Sequence, residues 1–414
     1  MLRLLHVATA VAILSATAKT DPSPGDGSAR LPHTAPESVG MSASRLAMID
    51  SVVLAGIQAG GFPGAAVVVA RHGSIVWERG YGKLDWRSNV AVDPDRTMYD
   101  LASLTKVVGT TAAAMLLVDQ GRLRLDERVA HYLPSFRGGA KDQVTIRELL
   151  THRSGLPAGR EFSKHNASPE RAREAVIATS LVRAPDSDYE YSDLGMDVLG
   201  FVIEHITHER LDHFVQRAVY TPLGMRSTMF RPDASLRARI APTEQGVERG
   251  AVHDPTARAL GGVAGNAGLF STAGDLAVFA QLMLNGGASG SRTLVADSVV
   301  RAFTTPGLQW RGLGWQTCPG DGSCGQYLST RAFGHTGFTG TSMWMDPERD
   351  LTVIVLTNWI HGRASGGVAP VAIVQHVRSD IVDLAALSIV DDGPERPLPW
   401  RLRSQLQIGW NTGR

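Results

Sequence analysis

Ser103-Leu104-Thr105-Lys106 places a hydroxyl and an amine three residues apart, at the opening of an apolar run through Val107, Val108 and Ala112 to Val118. On a helix, positions i and i+3 share a face, so the Lys106 amine can reach the Ser103 hydroxyl and assist its attack on a carbonyl carbon. A serine at a helix start also offers its own N–H, backed by the helix dipole, to a developing oxyanion. Alone the pair is weak: a serine three residues before one of the five lysines arises readily by chance, and Ser103 equally fits an N-cap.

Tyr191-Ser192-Asp193, just ahead of a helix expected from near Leu194, adds a phenol. A nearby ammonium lowers its pKa and lets it carry protons between nucleophile and leaving group. Taken by itself, such a tyrosine is more often a packed core residue. His335-Thr336-Gly337-Phe338 precedes a strand expected over 340–345. Thr336 and Gly337 on an edge strand would let a substrate backbone pair there, and the Phe338 N–H would be a second oxyanion donor. His335 would put a titratable positive end in the cleft, so activity is expected to change near a histidine pKa. The plainer reading of this element is a glycine-rich turn into a strand.

The elements that must hold these groups follow from periodicity. Residues 42–59 carry Leu46, Ile49, Val53 and Ile57 at helical spacing, with Ser42 as N-cap. Two β-rich runs, 65–70 and 74–79, flank Arg71-His72-Gly73 as a hairpin, and 340–345 and 351–356 form a second around Asp346-Pro347-Glu348-Arg349-Asp350. Between them helices are expected over 106–118, 145–151, 196–205 and 275–284, and 370–384 returns to helical spacing with Pro370 near its first turn. Strands at both ends and helices between predict an α+β fold: an antiparallel sheet flanked by helices, with a mostly helical subdomain, about 102–304, inserted in it and a cleft between the two.

A composition of 43% hydrophobic and 20% charged residues suits a globular protein of this length, 414 residues, and the net charge of +1 gives no reason to bind nucleic acid. Residues 1–18, with Arg3, an apolar run broken by His6, and Ala16-Thr17-Ala18, read as a cleavable signal peptide. A polar linker over 19–36 and a tail over 388–414 complete the expected organisation around a domain at 37–387. The protein is therefore expected to be exported, periplasmic or secreted, with no integral membrane segment in the mature chain. Cys318 and Cys324 are either two thiols or, in an exported protein, a disulfide closing a small loop and worth about 2 kcal/mol on the chain-entropy model. Two sulfurs without a nearby histidine pair do not make a zinc site.

Competing constellations are poorer. No serine has glycine two residues away on both sides, as a lipase-type elbow requires. His208-Glu209-Arg210-Leu211-Asp212-His213 sets its second histidine one residue too far for a zincin helix and reads as a polar loop and helix start. Gly261, Gly262, Gly265 and Gly268 lack a phosphate-loop ending and read as close backbone packing near the cleft, with Asn266 facing substrate. His152 and Arg153 read as structural residues at a helix end.

In chain order, S-x-x-K, Y-S-[ND] and [KH]-T-G resemble the serine β-lactamase and penicillin-binding protein superfamily, nearest the class C branch with its D,D-peptidases and esterases. The similarity spans roughly 36–387 and includes 145–157, Pro222-Leu223-Gly224-Met225 and 261–276. The resemblance implies a β-lactamase/transpeptidase-like fold, Ser103 as the acylated residue, Lys106 as its general base partner and Tyr191 as second proton carrier. It implies an oxyanion hole from the Ser103 and Phe338 N–H groups, His335 in a site that many members fill with lysine, and substrate contacts from Asp193, Thr336 and Gly337. No cofactor or metal is implied. Asp193 stands where β-lactamases frequently have asparagine and, ionised, can only accept hydrogen bonds. His335 is mostly neutral near pH 7, where lysine would be a permanent anchor. Both departures favour an esterase or carboxypeptidase over a β-lactamase. The expected partners are a small-molecule ester, a D-alanyl-D-alanine type peptide end, or a β-lactam, in that order. The rival is a slowly acylating penicillin-binding sensor or pseudoenzyme; the oligomeric state is left open.

Overall fold

The computed structural model describes residues 30–160, 168–320, 322–363, 366–391, 396–400 and 402–403. The expected signal peptide, most of the linker and much of the tail lie outside the described residues. Strands β1 (Gly64–Arg71) and β2 (Ser74–Gly82) form the expected hairpin. His72 and Gly73 turn it with φ of 51° and 72°, the left-handed pair that suits the twist of two-residue hairpins. The chain then leaves this sheet and makes the short strands β3 (Tyr99–Asp100), β4 (Met229–Phe230), β5 (Leu269–Ser271), β6 (Ala288–Ser289) and β7 (Arg292–Thr293). It returns as β8 (Gln316–Thr317), β9 (Phe333–Thr336), β10 (Ser342–Asp346) and β11 (Leu351–Thr357). The six-stranded sheet has the order β2-β1-β11-β10-β9-β8, antiparallel throughout.

The alternation of β1 explains why this sheet is buried on both faces. Ala66, Val68 and Ala70 join one core with Leu104, Val107, Leu276 and Phe279 of the inserted helices. Ala65, Val67 and Val69 point the other way, into a core with Val53 and with Val377 and Ile381 of the terminal helix. Each fully buried valine contributes roughly 1.5–3 kcal/mol, so a one-residue register slip would exchange both sets at once. An antiparallel sheet flanked by helices, with a mostly helical insertion, is the architecture expected from periodicity.

Local capping agrees with residue type. The Ser42 hydroxyl accepts the Arg45 N–H, and Thr145 and Glu148 form a reciprocal capping box on the helix Ile146–Leu150. The expected helix after Ser103 differs in detail: Lys106–Thr111 winds as a π-helix before Ala112–Asp119 continues as α. Thr110 lies in this wide segment and donates to the Gly265 carbonyl at 2.7 Å. Such insertions cluster at functional sites. The expected 42–59 helix is likewise two pieces, Ala43–Leu46 and Met48–Gln58.

Candidate active site

The turn carrying Ser103 begins at Asp100, whose carboxylate accepts the Ala102 N–H at 3.0 Å and the His253 N–H at 2.7 Å. Ala102 has φ of 47°, a left-handed conformation that a non-glycine residue adopts only when its surroundings impose it. The following turn is tight, with Thr105 N–H on Ala102 and Lys106 N–H on Ser103. The Ser103 side chain is no cap; it accepts from Lys106 Nζ at 2.9 Å.

Lys106 is completely buried, and three oxygens surround its ammonium: Ser103 Oγ, the Asn266 carbonyl at 3.1 Å, and Asp193 Oδ1 at 2.6 Å. Burial alone would push this amine down, but the Asp193 carboxylate and Tyr191 outweigh it and hold the amine above its ordinary value. Lys106 is thus an ammonium at neutral pH, not the free amine that a resting general base requires. Asp193, expected to contact substrate, turns its carboxylate on Lys106. Behind it Asp197, fully buried, accepts the Asn266 N–H at 3.0 Å. Its carboxyl is pushed well up by burial and by Asp254 and Asp193.

Tyr191 is held from the helix Asp193–Thr207, which starts at N-cap Ser192. The Ser192 hydroxyl accepts the Gly195 N–H and donates to the Pro157 carbonyl, while its own N–H donates to His152 Nδ1 at 3.1 Å. Since Nδ1 accepts, neutral His152 carries its proton on Nε2. The His152 ring lies 4.5 Å from the Tyr191 ring, with Lys106 Nζ at 5.0 Å, Arg311 Cζ at 5.6 Å and the His335 ring at 6.1 Å from the same phenol. His152, read from sequence as structural, is therefore part of the site wall, and burial, Arg311 and Lys106 push its pKa well below the usual range.

The expected strand after this motif is β10, and His335 itself lies in β9, with Nδ1 2.7 Å from the Thr336 carbonyl. A carbonyl only accepts, so Nδ1 carries the proton and the buried Nε2 is a bare acceptor with no partner among the described residues. Burial, Arg311 and Lys106 push its pKa well below the usual histidine value. The expectation of activity changing near an ordinary histidine pKa is therefore revised. Besides Lys106, whose ammonium is surrounded by chain oxygens, the permanent cation here is Arg311, whose buried Nη1 has no hydrogen-bond partner among the described residues. Nothing in the sequence near Arg311 signals this.

β8 pairs only with Phe333 and Gly334, so the outer edge of β9 is uncovered beyond them, at His335 and Thr336. Gly337 then donates to the Thr341 carbonyl at 2.7 Å, and a Cβ there would collide with the Thr341 hydroxyl and the Leu101 carbonyl. Thr339 and Thr341 hydroxyls donate to the carbonyls of Asp100 and Leu101 at 2.7 and 3.0 Å, tying this loop to the turn that carries Ser103. From behind, Arg378 donates to the carbonyls of Gly340 and Gly337 at 3.1 and 2.5 Å. Among the described residues neither the Ser103 N–H nor the Phe338 N–H donates to an acceptor in the chain. Two unspent donors on loops tied together are what an oxyanion hole requires.

The remaining sequence readings fall elsewhere. Cys318 and Cys324 are joined as a disulfide, Cα atoms 6.2 Å apart. His208 ends a helix with φ of 57°, and Glu209 pairs with Arg217. Gly265 is close backbone packing, since a Cβ would strike the Met196 carbonyl. Asn266 turns its carbonyl on Lys106 and leaves Oδ1 buried without a partner.

Comparison with known proteins adds the following. Residues 49–378 match the family model described as Beta-lactamase. A protein of Escherichia coli strain K12 named "Putative D-alanyl-D-alanine carboxypeptidase" is 32% identical over 377 residues, covering 80% of this chain and 86% of its own length. A Salmonella paratyphi B protein of the same name is 34% identical over 375 residues, with coverage of 80% and 86%. The fold is similar to a penicillin-binding protein homologue from Caulobacter crescentus, with a TM-score of 0.67, 21% identity, and 84% of this chain and 99% of that one covered. It is also similar to EstCE1, described as a hydrolase with promiscuous acyltransferase activity, at TM-score 0.66, 24% identity, and coverage of 82% and 98%.

Proposed function

The chain belongs to the serine β-lactamase and penicillin-binding protein superfamily, and from that premise we propose that it is a hydrolase that forms an acyl-enzyme at Ser103. Ser103 Oγ attacks an ester or amide carbonyl carbon. Its proton passes through Tyr191 to the leaving oxygen or nitrogen, and the carbonyl oxygen takes up negative charge between the Ser103 and Phe338 N–H groups. Water then attacks the acyl carbon and returns a proton to Ser103. Lys106 serves as a fixed ammonium that stabilises the negative charge developing on Ser103 Oγ as its proton leaves. The observation that carries this reading is the buried Lys106 ammonium, 2.9 Å from Ser103 Oγ and 5.0 Å from the Tyr191 ring.

For the leaving group, Arg311 favours a carboxylate-bearing segment of the D-alanyl-D-alanine type over a plain ester. With His335 neutral it is the cation available to an anion beside Tyr191, and the names of the relatives point the same way. We assign the hydrolase unit to 37–387 and place it outside the cytoplasm, on the strength of residues 1–18.

The test is turnover of p-nitrophenyl acetate and of a D-alanyl-D-alanine peptide, each lost in a folded Ser103→Ala variant. Intact mass after treatment with a fluorophosphonate and, separately, a penicillin locates the adduct; no adduct at Ser103 from either reagent rejects the reading. A stoichiometric burst without turnover identifies a slowly acylating sensor instead.

A further inference from the structure

Phe338 stands at the mouth of the site and is 60% exposed, although its backbone is tied down on both sides. Two segments hold that ring. His253 stacks on it at 5.3 Å, and Trp359 meets it edge-on at 5.8 Å. Both segments lead to one cavity of about 340 Å³. His253 Nδ1 lies 3.0 Å from Glu244 in its wall, and the turn Trp359–His361 delivers His361 to the same wall.

The cavity is polar and has more positive groups than it uses. Its acids are already engaged: Asp85 lies 3.3 Å from Arg249 and 3.4 Å from His361 Nε2, and Glu244 faces His253. Asp85 stays ionised, because the Arg87 N–H, His361 and Arg249 outweigh burial and hold its carboxyl below the usual range. Arg87 and Arg363 also line the cavity, and among the described residues neither guanidinium has a carboxylate partner. Among the described residues, two buried atoms in this wall, Arg363 Nε and His361 Nδ1, make no hydrogen bond, and His361 is nine-tenths buried. Leaving a buried charged donor unmatched costs more than the roughly 1–3 kcal/mol of a neutral one, which is reason to look for an acceptor that the chain does not supply.

We infer that this cavity is a subsite for a carboxylate carried on the acyl portion of the substrate, several atoms from the reacting carbonyl. The inference rests on the acyl-transfer reading above. In that reaction the leaving group faces Tyr191, which protonates it, so the acyl chain is directed to the other side, past Phe338. The Phe338 ring and Trp86, whose indole N–H donates to the Gly362 carbonyl, offer apolar surface for the intervening chain. Arg87 and Arg363 then take the distal carboxylate through charge-assisted hydrogen bonds. The substrate class is an acyl donor with a terminal acid, distinct from the carboxylate that Arg311 would read on the leaving group.

The experiment compares mono-p-nitrophenyl esters of α,ω-dicarboxylic acids, from glutarate to sebacate, with neutral p-nitrophenyl alkanoates of matched length. In the wild type, kcat/KM for one range of diacid lengths should exceed that of the neutral match by ten-fold or more, through KM. In Arg87→Glu/Arg363→Glu the preference should disappear or invert, while p-nitrophenyl acetate turnover stays within two-fold and reports an intact fold. No preference at any length, or a preference that survives the double substitution, overturns the subsite. Absence of any p-nitrophenyl acetate turnover in the wild type instead overturns the acyl-transfer reading beneath it.

Discussion

Lys106 Nζ and Asp193 Oδ1 are 2.6 Å apart, the amine wholly buried and the carboxylate about one-third exposed. This pair decides the charge state of the site, because burial pushes Lys106 down while Asp193, with Tyr191, pushes it further up. The pair also restricts which residue can accept the first proton. An ammonium with three oxygen neighbours orients and stabilises; it does not accept.

Asp193→Asn should therefore change the role of Lys106. With the carboxylate gone, burial dominates and the amine pKa falls below its ordinary value of about 10.4. In the wild type the pair's contribution is full below that value and is lost only as pH rises through the raised pKa. The variant should be destabilised at pH 7 by about 2 kcal/mol, a buried-pair cost discounted for the exposure of Asp193. It should gain on the wild type as pH rises from 7 to 10. Denaturant unfolding at several pH values checks this, and a difference constant across that range contradicts it.

Asp100 joins the two halves of the proposed oxyanion hole, accepting the N–H before Ser103 and that of His253, whose ring stacks on Phe338. Burial raises its carboxyl to about 6 against the two N–H bonds and His253, with Asp254 adding to the rise. An amide in its place has one acceptor and turns its NH2 toward the other N–H. For Asp100→Asn, kcat for p-nitrophenyl acetate should fall by about 10–100-fold with KM little changed, the signature of a donor misplaced in the transition state. A raised acid favours the folded state below its folded pKa and loses that advantage as pH rises through it. The stability of the wild type relative to Asp100→Asn should therefore increase on acidification from pH 7 to 5.

Gly337→Ala introduces a methyl group against the Thr341 hydroxyl and the Leu101 carbonyl, neither of which is the end of a flexible chain. The loop must shift and carry the Phe338 N–H with it. A loss of about 1–3 kcal/mol in stability is expected from overpacking, with a drop in kcat larger than that stability loss explains at saturating substrate and 25 °C. Unfolding and steady-state kinetics on the same preparation separate the two effects.

Arg311→Ala should leave p-nitrophenyl acetate turnover within about three-fold and reduce kcat/KM for a D-alanyl-D-alanine peptide by about 10–100-fold, the range of a hydrogen bond to a charged group. Removing this cation also lets His335 and His152 rise toward the ordinary histidine value, since Arg311 ranks next after burial in depressing both. Any acid limb that these rings contribute to the pH–rate curve should therefore move to higher pH in the variant than in the wild type, though burial still holds it below the ordinary histidine value. Equal losses on both substrates would refute the anchor role.

Much of this was legible along the chain because it is local. The Ser103 to Lys106 spacing, the hairpin around His72-Gly73, the Thr145 to Glu148 capping box and the alternation of β1 each depend on residues within a few positions, where backbone period sets what meets what. The order of Ser103, Tyr191 and His335 marked the superfamily for the same reason: three local motifs, each weak, were improbable together. Asp193 and His335 are less legible along the chain, and Arg311 is not legible at all, because charge and protonation are properties of a neighbourhood. Whether Asp193 meets a substrate or Lys106 depends on how the helix after Ser192 docks on the π-helical turn, 87 residues earlier in the chain.

By itself the sequence determined the two hairpins, the longer helices, the candidate nucleophile and the order of its partners, since backbone periodicity and short spacings are enough for those. Only the tertiary structure decided that Lys106 is an ammonium, that His335 is neutral with Nε2 open, and that Arg311 supplies the cation. Coulomb energy and desolvation depend on distance and burial in space, and segments far apart in the chain set both.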